Sequence, residues 1–134
     1  MYLLDTNALS ELIKKRPRPR FVDRMRRHPA DALFTSTICV MELRYGSSRR
    51  ADRDAFWERI QREILPRVGI LALGLREALL AGDVLAELSL RGKRIGPEDL
   101  LIGSTALAHG YAVVTDNVRH FARIPSLQVE NWLT

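Results

Sequence analysis

Short apolar runs along the chain alternate with longer stretches in which apolar residues recur every three or four positions. The short runs predict strands, and the periodic stretches predict helices. Strands are predicted at residues 2–4, 32–35, 68–73, 111–114 and 127–129. Helices are predicted at residues 8–13, 21–27, 37–45, 51–65, 75–90 and 97–109. Because strands and helices alternate, the pattern predicts an α/β fold with a parallel sheet that helices cover on both faces.

The ends of several predicted helices carry residues that favour a helix boundary. Asp5, Thr6 and Asn7 close the first strand, and their side chains suit the N-cap of a helix. Pro97 stands at the first position of a later helix, where its missing N–H costs nothing. Gly110 can end that helix in the left-handed conformation. These signals support the alternation of strands and helices.

Composition indicates a globular chain with one core. The 134 residues are 46% hydrophobic and 28% charged, and we expect a single domain over residues 1–134. No uncharged apolar run reaches the roughly 20 residues that a membrane-spanning helix needs, so we expect no membrane partner. Cys39 is the only cysteine, which excludes an internal disulfide and favours a reducing, cytoplasmic location.

The charge of the chain favours an anionic partner. The chain has 21 Lys and Arg against 16 Asp and Glu, and nearly all of the positive charge is arginine. Two basic stretches stand out, at residues 16–27 and 91–94. Either could follow a nucleic-acid backbone or dock an acidic protein segment. An arginine-rich, solvated surface without a partner would give the same composition.

Two acidic residues directly follow predicted strands. Asp5 closes the first strand, and Asp116 comes after the strand at 111–114. In an open parallel sheet the functional crevice lies beyond the carboxyl ends of the strands, so both side chains could face it. Asp5 taken alone could equally serve as a helix N-cap.

Glu42 stands on an apolar stripe of a predicted helix. With Ile38, Met41 and Tyr45 it follows the i, i+3, i+4, i+7 spacing of one helix face. Because most other positions of this helix are also apolar, we expect the helix to be buried nearly all round. An ionised Glu42 would then need a positive partner, either a metal ion or a buried arginine.

Asp99 occupies the third position of the helix that Pro97 opens. An acid there could simply complement the helix dipole. However, Asp99 shares a face with Ile102, Gly103 and Ala106, and the two small residues would let this helix press closely on a neighbour. We therefore expect Asp99 to point into a junction between elements rather than into water.

The acids at positions 5, 42, 99 and 116 together suit a hard divalent cation. Mg²⁺ prefers carboxylates, waters and substrate phosphate as its ligands. Such an ion activates water and polarises a phosphoryl oxygen. The residues are therefore consistent with metal-dependent phosphodiester hydrolysis.

Four groups of residues follow one another in a distinctive order and spacing. They are Leu4-Asp5-Thr6-Asn7; Met41-Glu42-Leu43 with Tyr45-Gly46; Ile-Gly-Pro-Glu-Asp-Leu-Leu-Ile at residues 95–102 with Gly110; and Val114-Thr115-Asp116-Asn117 with Phe121, Ile124-Pro125 and Trp132. This set resembles the PIN-domain ribonucleases, in particular the VapC-type toxins of bacterial toxin–antitoxin pairs. The resemblance covers nearly the whole chain and implies a three-layer α/β/α PIN-like domain with a central, mainly parallel sheet.

The resemblance also implies an activity, a cofactor and partners. In the family, acids at the positions of Asp5, Glu42 and Asp99 hold Mg²⁺ or Mn²⁺ for endonucleolytic RNA cleavage by metal-activated water. We therefore expect these three residues to bind the metal and, together with Asp116, to form the catalytic set. The resemblance further implies an RNA substrate, a cognate antitoxin protein and a homodimer.

The fourth acidic position departs from the family pattern. That pattern has Thr, any residue, and then Asp or Asn, which places Asn117 in the position and Asp116 one residue earlier. Either Asn117 supplies a neutral oxygen, or Asp116 turns in as a fourth carboxylate. Thr6, Asn7, Thr115 and Asn117 are expected to orient the carboxylates through hydrogen bonds.

Other functions stay open on the sequence. A PIN fold that has lost catalysis could bind only RNA or a protein, and a site that reads phosphate could also cleave DNA. A phosphoacceptor receiver-like domain would need paired acids after the first strand and a late lysine, whereas Asp5 stands alone and no lysine follows Lys93.

Partner surfaces and histidines are predicted less directly. The helices at 21–27 and 51–65 are candidate partner surfaces, because we expect Phe21, Phe56 and Trp57 to be only partly covered. His109 and His120 are expected to be surface or capping residues, and Cys39 is expected to serve packing rather than chemistry.

Overall fold

The computed structural model describes residues 1–134 and contains five strands and seven α-helices. The strands are β1 (Tyr2–Leu4), β2 (Leu33–Ser36), β3 (Gly69–Leu71), β4 (Ala112–Val114) and β5 (Val129–Glu130). The helices are α1 (Thr6–Glu11), α2 (Pro19–Arg26), α3 (Thr37–Ser48), α4 (Arg53–Glu63), α5 (Leu75–Leu90), α6 (Pro97–His109) and α7 (Val118–Phe121). Short 3₁₀ turns precede β2 and β3, at Ala30–Ala32 and Leu65–Arg67. None of the helices is both long enough and apolar enough to cross a membrane.

The strands form one sheet in the order β3-β2-β1-β4-β5, and every pairing is parallel. β1 lies in the middle, where Leu3 pairs with Phe34 on one side and with Val113 on the other. Leu3 and Leu4 point to opposite faces of the sheet, and both are 0% exposed. Both faces are therefore covered, which confirms the predicted α/β/α layers; the sheet is wholly rather than mainly parallel.

Two groups of buried side chains hold the layers together. The larger surrounds the sheet and includes the fully buried aromatic side chains of Phe21, Phe121 and Trp132. The Trp132 ring stacks on that of His28 with 5.0 Å between centroids. Burial of each such side chain contributes about 1.5–3 kcal/mol to folding. The smaller group joins α5 to α6 and consists of Ala81, Val84, Leu88, Leu100 and Ile124.

Helix α6 lies unusually close to the segment after α7, because Gly103 has no side chain. A Cβ atom at Gly103 would overlap the Cδ1 atom of Ile124. Ile102 and Ala106 are buried on the same face of α6, which also carries Asp99. The prediction that small residues let this helix press on a neighbour is confirmed.

Helix α5 ends in a tight turn that starts the loop to α6. Gly92 has a φ of +67°, in the left-handed region that favours glycine. The N–H of Lys93 donates to the Leu88 carbonyl at 2.9 Å, and the N–H of Gly92 donates to the Ser89 carbonyl at 3.1 Å. These two bonds form a Schellman motif, which determines the direction in which the following residues leave the helix.

The predicted strands and helices are present, although some ends differ. The helix predicted at 37–45 continues to Ser48, and the last strand lies at Val129–Glu130 rather than at 127–129. Asp5 is the N-cap of α1, and Gly110 ends α6 in the left-handed conformation, as predicted. α7 is not predicted by the sequence, because four residues are too few to show helical periodicity.

The stripe of α3 that carries Glu42 is not buried, so the expectation of a helix buried nearly all round is wrong. Met41 is 51% exposed and Tyr45 is 63% exposed. The helix packs into the core through its other side, with Cys39 and Leu43. Ile38 of the same stripe packs against the core, so only part of the stripe faces solvent. An apolar residue type does not by itself determine burial.

The expectation that Phe21 is only partly covered is also wrong. Phe21 is 0% exposed and belongs to the main core. Phe56 and Trp57 are partly buried, as expected, and arginine guanidinium groups lie over both rings. Of the three aromatic residues, only those of α4 therefore reach the surface.

Candidate active site

A small polar pocket opens beyond the carboxyl ends of the central strands. Its volume is about 130 Å³, and it is lined by Asp5, Thr6, Asn7, Glu42, Asp99, Ile102 and Asn117. β1 delivers Asp5, α3 delivers Glu42, and the first turn of α6 delivers Asp99. Three of the predicted acids thus lie around one pocket, although they are far apart in the sequence.

Asp5 is the most deeply buried of these acids, with 5% of its surface exposed. Its backbone N–H donates to the Val114 carbonyl at 3.0 Å, which ties it to β4. One carboxylate oxygen accepts from the N–H of Ala8 at 2.9 Å, and the other accepts from the hydroxyl of Thr115 at 2.6 Å. The carboxylate is therefore fixed in orientation at the floor of the pocket.

Burial and neighbouring negative charge make ionisation costly in this pocket. The pKa of Asp5 is raised from 3.8 to about 6, chiefly by burial and to a smaller extent by the charges of Asp116 and Asp99. The hydrogen bonds from Thr115 and Ala8 oppose this rise. Burial also raises the pKa of Asp99 above its usual range. Both ionised carboxylates would be stabilised by a cation.

Glu42 is held by a hydroxyl group rather than by a positive charge. The Oγ1 atom of Thr6 donates to Oε1 of Glu42 at 2.5 Å, which links α1 to α3. No lysine or arginine forms a salt bridge with Asp5, Glu42, Asp99 or Asp116. The buried-arginine alternative for Glu42 is therefore not supported, and no lysine or arginine reaches the acids of the pocket.

His120 is a residue of the site that the sequence does not predict. It is half-exposed, and its Nδ1 atom lies 3.7 Å from Oδ2 of Asp99 and 2.8 Å from Nδ2 of Asn117. The interaction with His120 opposes the rise in the pKa of Asp99. The one signal in the sequence is the three-residue spacing from Asn117, which places both side chains on one side of the short α7.

Asn117 lines the pocket, whereas Asp116 does not. The N–H of Asn117 donates to the Thr115 hydroxyl at 2.8 Å, and that hydroxyl in turn donates to Asp5. Asp116 is exposed, and its Oδ1 atom accepts from the Asn7 side chain at 3.2 Å. The geometry therefore favours Asn117 for the fourth position and leaves Asp116 at the rim.

The chemistry of the donor set fits a hard divalent cation, but the side chains do not yet converge on one point. As they stand, no three His, Cys, Asp or Glu side chains are placed to hold one metal ion. Glu42 is turned toward Thr6, and Asp99 is turned toward His120. Carboxylate oxygens without a positive partner are the ligands that Mg²⁺ prefers. Glu42 and Asp99 would exchange their present partners for the ion.

The chain is similar to known proteins over almost its whole length. The family model described as "PIN domain" matches residues 2–127. "Ribonuclease VapC2" of Haemophilus influenzae is 36% identical over 135 residues, which cover 98% of each chain. "tRNA(fMet)-specific endonuclease VapC" of Salmonella typhimurium is 34% identical over 134 residues, which cover 98% of this chain and 97% of that protein.

The fold is similar to that of a solved relative as well. The structure of VapBC2 from Rickettsia felis, bound to a DNA fragment from its promoter, contains a chain that superposes with a TM-score of 0.88 at 32% identity. The superposition covers 98% of both chains. The backbones of the two proteins therefore follow a similar course over nearly their whole lengths.

Proposed function

Because the chain belongs to the PIN-domain family, among the VapC ribonucleases, we propose that it is a metal-dependent endoribonuclease that acts as the toxin of a toxin–antitoxin pair. Residues 1–134 would form its single nuclease domain. The receiver-like alternative is not retained, since neither the family nor the single acid after β1 supports it.

The observation that carries the proposal is the cluster of carboxylates that no lysine or arginine neutralises. Asp5, Glu42 and Asp99 share one pocket, and two of them have raised pKa values. Grouping acids in this way disfavours their charged forms and opposes folding at neutral pH. A bound divalent cation offsets that cost, and perturbed acids in a cleft are typical of a functional site.

We propose that Asp5, Glu42 and Asp99 bind Mg²⁺ or Mn²⁺, with Asn117 in the fourth position and Asp116 at the rim. A cation bound there supplies the positive charge that polarises a phosphoryl group and lowers the pKa of water. Asp5 has the least freedom of the three, because hydrogen bonds from Ala8 and Thr115 hold both of its oxygens. Glu42 and Asp99 are the ligands that would move.

The polar neighbours of these acids have orienting roles in the proposed site. Thr115 holds Asp5 and also accepts from the N–H of Asn117, so it couples the end of β1 to the end of β4. In the metal-free protein the Thr6 hydroxyl holds Glu42 at the wall of the pocket, and Glu42 would leave this hydroxyl to bind the ion. Asn7 holds the exposed Asp116. Such hydrogen bonds determine which lone pairs of a carboxylate face a ligand.

The proposed reaction is hydrolysis of an RNA phosphodiester. A water oxygen forms a bond to phosphorus while the bond to the 3′ oxygen breaks, which leaves a 5′-phosphate and a 3′-hydroxyl. The protein needs no covalent nucleophile for this reaction. Its only cysteine, Cys39, is buried, and burial raises the pKa of its thiol further above neutrality.

A groove with a mixed apolar and basic lining supports the proposal of an antitoxin partner. It has a volume of about 320 Å³ and is lined by Leu12, Pro17, Phe21, Val22, Met25, Arg26 and Arg67. An amphipathic segment could bury its apolar face against the floor of this groove while acidic residues meet the two arginines. The groove includes α2, the first of the two predicted partner surfaces.

The proposal extends to a cytoplasmic homodimer. Leu75, Leu79 and Leu90 lie on one face of α5 and are 77%, 63% and 89% exposed. A second copy of the chain could cover these side chains, since large exposed apolar groups are typical of protein interfaces. The cytoplasm is where both an RNA substrate and a nascent antitoxin are found.

Cleavage of a mixed RNA pool tests the proposal. Wild-type protein and the Asp99→Asn variant are compared in Mg²⁺ and in EDTA, and the ends of the products are analysed. Asp83→Asn is the matched control, because Asp83 is an exposed acid of α5 without a salt bridge. We expect 5′-phosphate ends only with Mg²⁺, loss of cleavage in Asp99→Asn, and full activity in Asp83→Asn.

Two results would contradict the proposal in different ways. Cleavage that persists in EDTA or in Asp99→Asn would exclude the proposed metal site. RNA binding without cleavage by the wild type, in Mg²⁺ and in the absence of any antitoxin, would identify a silent binding module of the PIN fold.

A further inference from the structure

A second cleft near the acidic pocket is lined almost entirely by positive charge. It has a volume of about 500 Å³, and its lining residues are Gly92, Lys93, Arg94, Arg119 and Arg123. None of the lining residues is apolar or acidic. The loop between α5 and α6 thus meets α7 and the residues that follow it, and two segments of the chain contribute two cations each.

These cations have no carboxylate partner within the protein. None of Lys93, Arg94, Arg119 and Arg123 forms a salt bridge. Arg91 contrasts with them, because its guanidinium lies 2.7 Å from the Glu87 carboxylate. Placing four like charges around one cleft costs electrostatic free energy, which an anionic ligand would offset.

The backbone of the cleft is held in place by hydrogen bonds. The Schellman turn at Gly92 directs Lys93 and Arg94 away from the end of α5. The guanidinium of Arg123 donates to the backbone carbonyl of Arg94, which joins the two segments. The arrangement is therefore a shaped cleft rather than a set of independent surface side chains.

The same two segments also supply residues of the acidic pocket. Arg119 directly precedes His120, whose ring lies 3.7 Å from Asp99. Arg94 lies in the loop that leads into α6, and Asp99 is in the first turn of that helix. Because consecutive Cα atoms are about 3.8 Å apart, the basic cleft is only a few residues of chain away from the pocket on both sides.

We propose that this basic cleft binds the backbone phosphates of the RNA strand beside the phosphodiester that is cleaved. The inference rests on the proposed function and adds the residues that would position the substrate. A protein segment is a poorer match for this cleft, because no apolar side chain lines it and little apolar surface could be buried there. A phosphate chain needs only charge and hydrogen-bond donors, which lysine and arginine supply.

The test measures RNA binding as a function of salt in a background that cannot cleave. The Asp99→Asn protein in EDTA is titrated into a fluorescently labelled, 20-nucleotide single-stranded RNA of mixed sequence, and anisotropy is read at several salt concentrations. The cleft variant adds Lys93→Gln and Arg119→Gln. The matched control instead adds Arg53→Gln and Arg76→Gln, two exposed arginines without a salt bridge that lie outside the cleft and outside the basic stretch at residues 16–27.

The two variants lose the same net charge, so a difference between their RNA affinities or salt slopes depends on where the lost charges lie. Each single-strand phosphate contact contributes about 0.7 to the slope of log affinity against log salt. The cleft variant should therefore lower the slope by about 1.4 and weaken binding about 25-fold at 0.1 M salt. The control should change the slope by less than half of that amount. Equal slopes in the two variants would overturn the proposal, as would an absence of RNA binding by the parent protein.

A second measurement separates this proposal from the nuclease proposal. In the otherwise wild-type protein with Mg²⁺, Lys93→Gln with Arg119→Gln should raise KM for RNA at least tenfold while kcat stays within about twofold. If the protein cleaves RNA and the KM is unchanged, the cleft proposal fails and the nuclease proposal stands. If no variant cleaves but the salt slopes differ as expected, the nuclease proposal fails, and the cleft is shown to bind RNA phosphates without an adjacent cleavage site. A polyglutamate peptide that binds the cleft without competing with RNA would overturn the assignment to RNA.

Discussion

Replacing Asp5 with Asn should make the metal-free protein more stable while it abolishes cleavage. The pKa of Asp5 is about 6 in the folded chain against an ordinary value of 3.8, a difference of about two pH units. At about 1.4 kcal/mol for each unit, the ionised carboxylate costs the folded state about 3 kcal/mol. Asn carries no charge and is as good an N-cap as Asp, so the hydrogen bond from Ala8 can persist.

The pH dependence of this effect has a definite sign. Because the folded-state pKa lies above that of the unfolded chain, the folded state binds the proton more tightly between pH 3.8 and about 6. The wild type therefore loses stability as pH rises through this window, and the loss is complete above it. The Asp5→Asn variant lacks this loss. Its free energy of unfolding should therefore exceed that of the wild type clearly at pH 7.5 and hardly at all at pH 4.

Urea unfolding in EDTA, followed by circular dichroism, measures the difference. A gain of 2–3 kcal/mol corresponds to a midpoint about 1–2 M higher in urea at pH 7.5. Asp52→Asn is the control, because Asp52 also precedes a helix but its pKa is lowered by the hydrogen bond from Arg50. That variant should gain no stability at neutral pH. Addition of Mg²⁺ should raise the midpoint of the wild type and not that of Asp5→Asn.

The reasoning would be refuted if Asp5→Asn were less stable than the wild type at pH 7.5 in EDTA. It would also be refuted if the gain were the same at pH 4 and pH 7.5. In the first case the hydrogen bonds of the carboxylate would outweigh its desolvation. In the second case the gain would come from packing and not from charge.

Three further predictions concern other parts of the chain. Asp99→Asn should reduce cleavage below detection without changing the thermal transition. Asp116→Asn should keep most of the activity, since Asp116 does not line the pocket. Equal losses of cleavage in a gel-based assay would contradict this ranking. Gly103→Ala should cost about 1–3 kcal/mol in urea unfolding because its Cβ would overlap Ile124. Adding Ile124→Val, which removes the overlapping atom, should recover part of that loss, and no recovery would locate the strain elsewhere. Glu11 is a buried acid, and burial alone would raise its pKa. Its hydrogen-bonded ammonium and amide partners lower the pKa by more, so it lies below its usual value. Glu11→Gln should therefore destabilise the protein by about 1–3 kcal/mol at pH 7, and calorimetry should find the difference shrinking as pH falls below 4.5.

Local signals were sufficient for the parts of the site that lie at the ends of elements. Asp5 could be placed because a short apolar run ends at a residue that caps helices. Asp99 could be placed because Pro97 and Gly110 mark both ends of α6. Such signals involve neighbouring residues only, and the alternation of strands and helices then brings the carboxyl ends of the strands together.

Contacts between distant residues could not be predicted in the same way. Nothing near Thr6 in the sequence indicates that its hydroxyl bonds to Glu42, because that contact depends on how α1 packs on α3. The position of His120 depends on α7, whose four residues are too few to show a period. Packing between elements decides such pairs, and sequence periodicity reports only which face of an element is apolar.

Glu42 shows that a residue can be selected for a reason that the structure does not support. The sequence singled it out as an acid inside a helix buried nearly all round. In the structure Met41 and Tyr45 of its stripe are largely exposed, and Glu42 lines a pocket that is open to solvent. An apolar stripe on a helix can lie at the exposed surface as well as in the core.

The central position of β1 has a consequence for the synthesis of the protein. The first strand to be translated pairs with β4, and Asp5 receives the hydroxyl bond from Thr115, a residue 110 positions later. At about 5–20 residues per second, roughly 5–20 s separate the translation of these two residues. The carboxylates therefore assemble only when nearly the whole chain has been made. A ribosome that stalls before β4 releases a fragment in which one edge of β1 has no partner strand and Asp5 lacks the hydrogen bond from Thr115, so the pocket cannot form as it does in the full chain.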